Sequence, residues 1–147
     1  MPNKPLSTDG RRRILIVEDE EILAKNLAIF LRRADARVRI THSANEAFAG
    51  ARGFDPHCML VDYNLPGMNG LEAIARLRET HPGALFVLMS AQDSGVMRNA
   101  AHQLGVRHLL SKPFPLSELR ICLEGDVRRI HPEIPALGEG SRREEFA

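Results

Sequence analysis

Short apolar runs alternate with longer amphipathic segments between about residue 13 and residue 130 of the chain. The short runs are rich in valine, isoleucine and leucine, and they predict strands near residues 13–17, 37–41, 58–62, 84–90 and 106–110. The longer segments predict one helix after each strand, near residues 20–33, 43–53, 71–80, 95–104 and 117–130. This alternation is typical of an α/β fold built on one parallel sheet.

Local signals mark several helix ends. Ser43 and Glu46 have the spacing of a capping box at the start of the second helix. Ser117 is the predicted cap of the fifth helix. The fourth helix has the weakest sequence support because Gly95, at its start, is a poor helix former.

The 147 residues suffice for one domain of ordinary size. Residues 1–12 are polar and contain two prolines, and we expect them to form a flexible N-terminal arm. Residues 13–130 carry the strand and helix pattern and form the predicted domain. Residues 131–147 are rich in proline, glycine and charge, which indicates a C-terminal tail or a truncated linker.

Charge and composition argue against several classes of function. Twenty basic residues against nineteen acidic ones, with one tyrosine and no tryptophan, offer neither a broad basic face nor a stacking platform for nucleic acid. The opening residues Met1-Pro2-Asn3-Lys4-Pro5 have no apolar core that could act as a secretion signal, and no apolar run approaches the roughly 18 residues that span a bilayer. Cys58 and Cys122 are predicted to be buried free thiols, with a redox pair as the alternative. We therefore expect a cytoplasmic protein without direct nucleic-acid or membrane contacts.

Polar side chains stand where four of the predicted strands end. Glu18 and Asp19 follow the first strand, Asp62 ends the third, Ser90 ends the fourth and Lys112 follows the fifth. Ligands of open parallel sheets bind beside the carboxyl ends of the strands. These side chains are therefore predicted to share one site.

The residue types in this predicted site indicate metal and phosphoryl chemistry. Three clustered carboxylates repel one another and require a hard cation, most simply Mg²⁺, in addition to Lys112. If Asp62 accepts a phosphoryl group, nearly two negative charges replace one, so hydrogen-bond donors must approach. The Ser90 hydroxyl, the backbone N–H of Ala91 and Lys112 are the candidates. Each contributes roughly 1.5–3 kcal/mol, whereas reversing a 1:99 equilibrium needs about 5.5 kcal/mol, so a switch would need the whole set.

Each of these features also has an ordinary structural explanation. An acid pair such as Glu18-Asp19 often begins a helix, whose dipole favours negative charge. Asp62 precedes asparagine, proline and glycine, which is also typical of a turn. Ser90 and Lys112, taken singly, are common at strand ends. Their occurrence together, each at a strand end of one α/β chain, favours the functional interpretation.

The chain also resembles the receiver domain of two-component response regulators over residues 13–130. The matching motifs are Ile16-Val17-Glu18-Asp19-Glu20, Val61-Asp62-Tyr63-Asn64-Leu65-Pro66-Gly67-Met68-Asn69-Gly70, Met89-Ser90-Ala91 and Ser111-Lys112-Pro113-Phe114. The resemblance implies a doubly wound, flavodoxin-like (βα)₅ fold with a five-stranded parallel sheet in the order 2-1-3-4-5. It also implies a cis peptide bond between Lys112 and Pro113.

The resemblance assigns a role to each acidic residue. Asp62 matches the phosphoacceptor, which takes a phosphoryl group from a histidine kinase. Glu18 and Asp19 match the acidic pair that holds Mg²⁺ together with Asp62 and the backbone carbonyl of Asn64. Glu18 departs from the commoner aspartate by one methylene, so it is able to reach the metal through water.

The remaining site residues are assigned in the same way. Ser90 matches the switch hydroxyl and Lys112 matches the family's lysine. Gln92 and Asn64 match the positions that control water access, and as neutral amides they imply hydrolysis that is neither very fast nor blocked. Leu109 stands where the family usually has a switch aromatic, so the output signal is expected to travel through the loop and helix after Ser90.

The leading hypothesis is a phosphorylation-controlled signalling module rather than a turnover enzyme. Its expected partner is a sensor histidine kinase or a phosphotransfer protein. A second copy or a downstream protein is expected to bind the face formed by the fourth helix, fifth strand and fifth helix, with Val96, Met97, Leu119 and Arg120.

Two other functions remain open at this stage. A phosphatase with an aspartate nucleophile has a similar fold, but such enzymes usually place an acid where this chain has Asn64 and add a cap. A receiver-like binding module that is never phosphorylated is the third possibility, and Glu18 and Leu109 are the residues that favour it. Incubation with a small phosphodonor and Mg²⁺ should distinguish the three functions. The signalling module should form a stable adduct, the phosphatase should release phosphate rapidly, and the binding module should not change.

Overall fold

The computed structural model describes residues 10–130, with side chains for residues 10–124. The strands are β1 (Arg13–Val17), β2 (Arg37–Thr41), β3 (Cys58–Asp62), β4 (Leu85–Ser90) and β5 (His108–Ser111). The helices are α1 (Glu21–Arg33), α2 (Ala44–Ala51), α3 (Gly70–Thr80), α4 (Gly95–Gln103) and α5 (Leu116–Ile130). Residues 1–9 of the predicted arm and the whole predicted tail, 131–147, lie outside the described residues.

The strands form one parallel sheet in the order β2-β1-β3-β4-β5. This confirms the predicted α/β class and the strand order that the family resemblance implies. The order reverses at β1, because β2 lies on one side of β1 and the later strands lie on the other. Ligand sites of open parallel sheets form at such reversals. The carboxyl ends of β1 and β3 therefore frame the predicted site.

Two apolar layers cover the two faces of the sheet. Leu27 of α1 and Leu119 of α5 belong to one layer. Ile74 of α3 and Met97 of α4 belong to the other layer, together with residues of α2. Because both faces are covered, every residue of β3 is buried, including Asp62 at its end.

The predicted bounds of β1, β2 and β3 agree with the structure, whereas those of the last two strands do not. β4 begins at Leu85, one residue later than predicted. β5 begins at His108, two residues later than predicted, and includes Ser111. The Val106 N–H donates to the Ala101 carbonyl at 3.0 Å and so closes the end of α4 instead of joining the sheet.

The helix starts are set by short polar contacts. Ser43 Oγ accepts from the Glu46 N–H at 3.1 Å, which confirms the predicted cap of α2. At the start of α4, which had the weakest sequence support, Ser94 Oγ accepts from the Met97 N–H at 3.1 Å and caps the helix. The predicted cap Ser117 is wrong, because α5 begins one residue earlier and Ser117 lies inside its first turn.

The two cysteines, Cys58 in β3 and Cys122 in α5, are buried and free. Burial raises the pKa of the Cys122 thiol to about 11, with a further contribution from nearby Glu118, so this thiol stays protonated near neutral pH. Among the described residues, no helix combines the length and the apolar character that crossing a membrane requires.

Candidate phosphoryl and metal site

Asp62 ends β3, and only 4% of the residue is exposed. It pairs in register with Met89 of β4. The N–H of the next residue, Tyr63, donates to the Met89 carbonyl at 2.8 Å, so the backbone on both sides of Asp62 is held in the sheet. A carboxylate fixed at this depth needs a partner of opposite charge.

The loop after Asp62 returns closely onto the end of β3. The Gly70 N–H donates to the Tyr63 carbonyl at 2.7 Å, and Asn69 Oδ1 accepts from the Glu72 N–H at 2.9 Å to cap α3. A Cβ at Gly70 would overlap the Asp62 carbonyl oxygen and lie 2.9 Å from Tyr63 Cα. This approach of two backbone segments therefore requires glycine.

Lys112 supplies the positive partner. Its Nζ lies 2.9 Å from Asp62 Oδ1 and 2.9 Å from Glu18 Oε1. Glu20 Oε2 lies farther from the same nitrogen, at 3.7 Å. The Lys112 side chain is 14% exposed, and the peptide bond between Lys112 and Pro113 is cis, as the resemblance implies. The ammonium group thus bridges the ends of β1 and β3.

Glu18 is the first residue after β1 and is fully buried. Its N–H donates to the Thr41 carbonyl at 3.0 Å, and its own carbonyl is hydrogen-bonded to His42 Nδ1 at 2.8 Å. The carboxylate also accepts from the Glu20 N–H at 3.2 Å. These contacts hold Glu18 against Lys112 from the end of the strand.

Asp19 completes an acidic cluster at the mouth of the site. One carboxylate oxygen each from Glu18, Asp19 and Asp62 lies within 4.8 Å of the others. Asp19 is exposed, so the cluster opens to solvent on that side. Three carboxylates against the single ammonium of Lys112 leave an excess of negative charge, and oxygen ligands at this spacing suit a hard divalent cation. These residues could therefore hold a metal ion.

The pKa values reflect the burial of these charges. Burial raises the pKa of Glu18 from 4.5 to about 7, and the hydrogen bond from Lys112 opposes this while the charge of Asp62 adds to it. Burial likewise raises the pKa of Asp62, again opposed by Lys112. Lys112 has a raised pKa because its bonds to the two carboxylates outweigh its burial, so it stays charged. Burial thus disfavours the charged forms of both carboxylates, and a bound cation would favour them.

Ser90 ends β4 beside Asp62 and is fully buried. Its Oγ accepts from the Gln92 N–H at 3.0 Å, and its carbonyl accepts from the Lys112 N–H at 2.8 Å. Ala91 and Gln92 are exposed in the loop that follows. In its contact with Gln92 the Ser90 hydroxyl oxygen acts as the acceptor.

Asn64 and Leu109 have different surroundings. Asn64 lies two residues after Asp62, is exposed and forms an antiparallel bridge with Asn69. Leu109 is half-buried in the apolar layer that contains Met97 and Ala101 of α4. Leu109 therefore packs against α4, and its aliphatic side chain offers no polar group there.

The predicted partner face needs correction. Val96 of α4 is 83% exposed, as a surface residue should be. Met97 and Leu119 are buried, because both belong to the apolar layers. The guanidinium of Arg120 lies 5.0 Å from the ring centroid of Phe30 in α1, so Arg120 contacts the neighbouring helix. Of the four residues, Val96 is the one that the structure places prominently on the surface.

Sequence reasoning did not assign two polar residues near the site. The Glu20 side chain is 68% exposed and contacts Lys112. Its position directly after Asp19 was the sequence signal that could have indicated this contact. Asp93 in the loop after β4 pairs with Arg98 and contacts Ser111. No motif pointed to Asp93, because its contacts depend on the folded loop.

Comparison with known proteins identifies the family. The model of the response regulator receiver domain matches residues 14–124 of this chain. The chain belongs to this family, and it is a receiver domain of two-component response regulators. The resemblance drawn from the strand-end motifs is thereby confirmed.

Three similar proteins illustrate the family. YkoG of Bacillus subtilis (strain 168), an uncharacterized transcriptional regulatory protein, is 34% identical over 116 residues, which make up 79% of this chain and 51% of YkoG. The non-phosphorylated HemR receiver domain from Leptospira biflexa is 30% identical with a TM-score of 0.73, covering 78% of this chain and 93% of that one.

The third is a response regulator protein from Burkholderia pseudomallei, crystallised with a phosphorylated aspartic acid, a calcium ion and citrate. It is 26% identical with a TM-score of 0.73, covering 83% of this chain and 72% of that one. The present chain spans about half the length of the curated relatives it matches.

Proposed function

We propose that this receiver domain accepts a phosphoryl group on Asp62. The observation that carries the proposal is the contact of Lys112 Nζ with both Asp62 Oδ1 and Glu18 Oε1, at 2.9 Å each. A buried nucleophilic carboxylate, a fixed cation and an acidic cluster are the parts that phosphoryl transfer to an acid requires. The phosphorylated aspartic acid of the Burkholderia pseudomallei neighbour supports the same chemistry.

In the proposed reaction an oxygen of Asp62 attacks the phosphorus of a phosphohistidine. The new phosphorus–oxygen bond forms as the phosphorus–nitrogen bond breaks, and the departing imidazole takes the electron pair. Lys112 contacts the carboxylate before transfer and is close enough to shift toward a phosphoryl oxygen. The same ammonium can therefore stabilise the negative charge in both states.

We assign Mg²⁺ to the acidic cluster. Glu18, Asp19 and Asp62 would hold it together with the backbone carbonyl of Asn64. Glu18 is already bonded to Lys112, which suits contact with the metal through water. When bound, Mg²⁺ supplies positive charge that screens the phosphoryl oxygens from the carboxylates. The chain's own residues orient Asp62 and limit access from the sheet side.

Residues of the neighbouring loops complete the proposed site. The Ser90 hydroxyl and the Ala91 N–H would donate to phosphoryl oxygens, which compensates the extra negative charge. Gln92 and Asn64, both exposed near the mouth, would orient water for slow hydrolysis of the acyl phosphate. Leu109 cannot rotate a ring inward, so the response would pass through the loop and helix after Ser90.

Further proposals concern the surroundings of the domain. The receiver unit corresponds to residues 13–130 and acts in the cytoplasm, with a sensor histidine kinase or a phosphotransfer protein as its donor. The relative YkoG is a transcriptional regulatory protein by name, so DNA binding would belong to a different domain. A second copy or a downstream protein would bind the surface of α4, β5 and α5, where Val96 is exposed.

The domain would not act as a turnover enzyme. Phosphatases with an aspartate nucleophile usually carry an acid two residues later, where this chain has Asn64. The amide of Asn64 cannot serve as a strong general base. Hydrolysis would therefore be slow, and the phosphorylated form would persist.

Incubation with phosphoramidate and Mg²⁺, followed by intact-protein mass spectrometry, tests the proposal. We expect the mass of one phosphoryl group to be added and then slowly lost. Asp62→Asn should prevent the addition while the circular dichroism spectrum stays unchanged. Peptide mapping after borohydride reduction should place the modification at Asp62.

The other outcomes distinguish the competing functions. Rapid release of phosphate without an adduct would indicate a phosphatase. The absence of any adduct in the folded, Mg²⁺-loaded protein would indicate a binding module that is not phosphorylated. An adduct that survives in Asp62→Asn would show that a different residue is the acceptor.

A further inference from the structure

A bidentate ion pair anchors the loop that connects β4 to α4. Arg98 Nε donates to Asp93 Oδ1 at 2.5 Å, and Arg98 Nη2 donates to Asp93 Oδ2 at 2.9 Å. Ser111 Oγ donates to the same Oδ2 at a longer 3.4 Å. One carboxylate thereby joins the loop, α4 and the last residue of β5.

The position of this anchor connects it to the proposed phosphoryl site. Ser90 precedes the loop and pairs in register with Ser111, and Lys112 follows Ser111 directly. The Lys112 N–H donates to the Ser90 carbonyl at 2.8 Å. Asp93 therefore holds the exposed loop against the strand end from which Lys112 extends.

The neighbouring side-chain hydrogen bonds of the loop are local. Ser90 Oγ accepts from the Gln92 N–H, and Ser94 Oγ accepts from the Met97 N–H at the start of α4. Each of these bonds fixes a single turn. Asp93 differs from them because, besides its bonds to Arg98 of α4, it accepts the longer bond from Ser111 and so ties the loop to the end of β5.

We propose that Asp93 is a positioning residue for phosphoryl transfer to Asp62, an inference that rests on the function proposed above. By holding the loop between Arg98 and Ser111, Asp93 keeps the Ser90 hydroxyl and the Ala91 N–H close to the place that phosphoryl oxygens occupy. Donors that are already oriented lower the ordering cost of the transition state. Asp93 itself touches no reacting atom.

The expected effect is modest because the pair is accessible to water. The side chains of Arg98 and Asp93 are 54% and 43% exposed. Exposed ion pairs change equilibria by factors of about two to five. Arg98 holds the pKa of Asp93 below its usual range, so the contact persists through neutral pH. Loss of the anchor should therefore slow the reaction without abolishing it.

A purely structural role in α4 predicts a different pattern. Arg78 of α3 donates from Nη1 to the Leu104 carbonyl at the other end of α4. Arg78 also packs against Gly105, because a Cβ placed on Gly105 would lie 3.2 Å from Arg78 Nη1. Arg78→Ala loosens α4 without touching the loop, and it is the matched control for Asp93→Ala.

The experiment compares Asp93→Ala, Arg98→Ala, the double variant and Arg78→Ala with the unaltered protein. The initial rate of adduct formation at Asp62 is measured over a range of phosphoramidate concentrations with saturating Mg²⁺. We expect Asp93→Ala to lower the maximal rate about two- to fivefold, with a smaller change in the donor concentration at half-maximal rate. Arg98→Ala should act alike, and the double variant should be no slower than either single variant.

Charge-conserving Arg98→Lys should recover part of the rate, and Arg78→Ala should leave it unchanged. Equal slowing by Arg78→Ala and Asp93→Ala would assign the effect to helix stability and overturn the inference. An Asp93→Ala rate equal to that of the unaltered protein would also overturn it. Failure of the unaltered protein to form any adduct would refute the proposed function itself, so the two failures are distinguishable.

Discussion

Two ion-pair clusters among the described residues, one around Lys112 and one around Arg98, differ in their contact with water. Lys112 binds Glu18 and Asp62 with side chains that are 14%, 0% and 5% exposed. Arg98 binds Asp93 at similarly short distances, but these side chains are 54% and 43% exposed. The buried cluster also lies at the reversal of strand order, whereas the exposed pair joins the loop after β4 to α4.

The comparison shows that short distances alone do not indicate what an ion pair does. The exposed pair gains little because water screens it, and it loses little when broken. The buried cluster holds two carboxylates that are shielded from water, and because burial raises their pKa values, keeping them charged costs stability. Perturbed groups of this kind cluster at functional sites, and in the proposed function a cation and a phosphoryl group would bind here.

The largest effect is expected from Lys112→Ala. This change leaves Glu18 and Asp62 buried without their cation, and breaking a buried pair costs about 3–5 kcal/mol. The free energy of unfolding, measured by urea titration at pH 7 without metal, should fall by that amount. Adduct formation at Asp62 should be lost as well.

Arg98→Ala provides the comparison for Lys112→Ala. Because the Arg98 pair is exposed, the urea midpoint should move much less. Equal losses of stability in the two variants would contradict the distinction between the clusters. An unchanged free energy of unfolding in Lys112→Ala at pH 7 would also contradict this distinction.

The strand ends were predictable because their signal is local in sequence. Asp62 follows a continuous apolar run, and the bounds of β3 are those predicted. The parallel α/β pattern then brings Glu18, Asp62 and Lys112 to one edge. That Lys112 bonds Glu18 as closely as Asp62 was not predictable, because it depends on side chains 94 residues apart.

The region around α4 was harder to predict for a physical reason. The apolar Val106 suggested a strand, but its N–H is used to close α4. Asp93 and Arg98 are separated by a cap and a helical turn, and charged residues at this spacing have no strong pattern of their own. The buried cluster was thus predictable because its residues stand at the ends of apolar runs, whereas Asp93 and Arg98 are not marked by such runs.

The second prediction concerns the pH dependence of stability in the metal-free protein. The pKa of Glu18 is raised from 4.5 to about 7 on folding, so the folded state binds this proton more tightly than the unfolded state. The contribution of Glu18 to the free energy of unfolding is fully present below pH 4.5 and is lost as the pH rises through about 7. The loss attributable to this group is about 3 kcal/mol.

Glu18→Gln should flatten the profile of unfolding free energy against pH that urea titration gives in the presence of a chelator. Asp62→Asn should flatten it in the same direction, because burial also raises the pKa of Asp62. Asp93→Asn is the control, since the pKa of Asp93 is lowered rather than raised. A profile of Glu18→Gln that parallels the unaltered protein would refute the assignment.

The smallest effects are expected from two glycines that begin helices beside the two clusters. A Cβ at Gly70 meets the backbone of Asp62 and Tyr63, which cannot move without disturbing the buried site. Gly70→Ala should lower the free energy of unfolding by about 2 kcal/mol, as overpacking commonly does. It should also reduce adduct formation at Asp62, because the end of β3 must shift.

Gly95 begins α4 beside the exposed pair, and nothing lies within 4 Å of the position that its Cβ would occupy. Its φ lies outside the left-handed region, so alanine fits without strain and restricts the unfolded chain. Gly95→Ala should therefore raise the free energy of unfolding by about 0.5 kcal/mol. A loss of stability in Gly95→Ala as large as in Gly70→Ala would show that the loop after β4 is packed as tightly as the buried site. The urea midpoints of the two variants, measured side by side, decide between these outcomes.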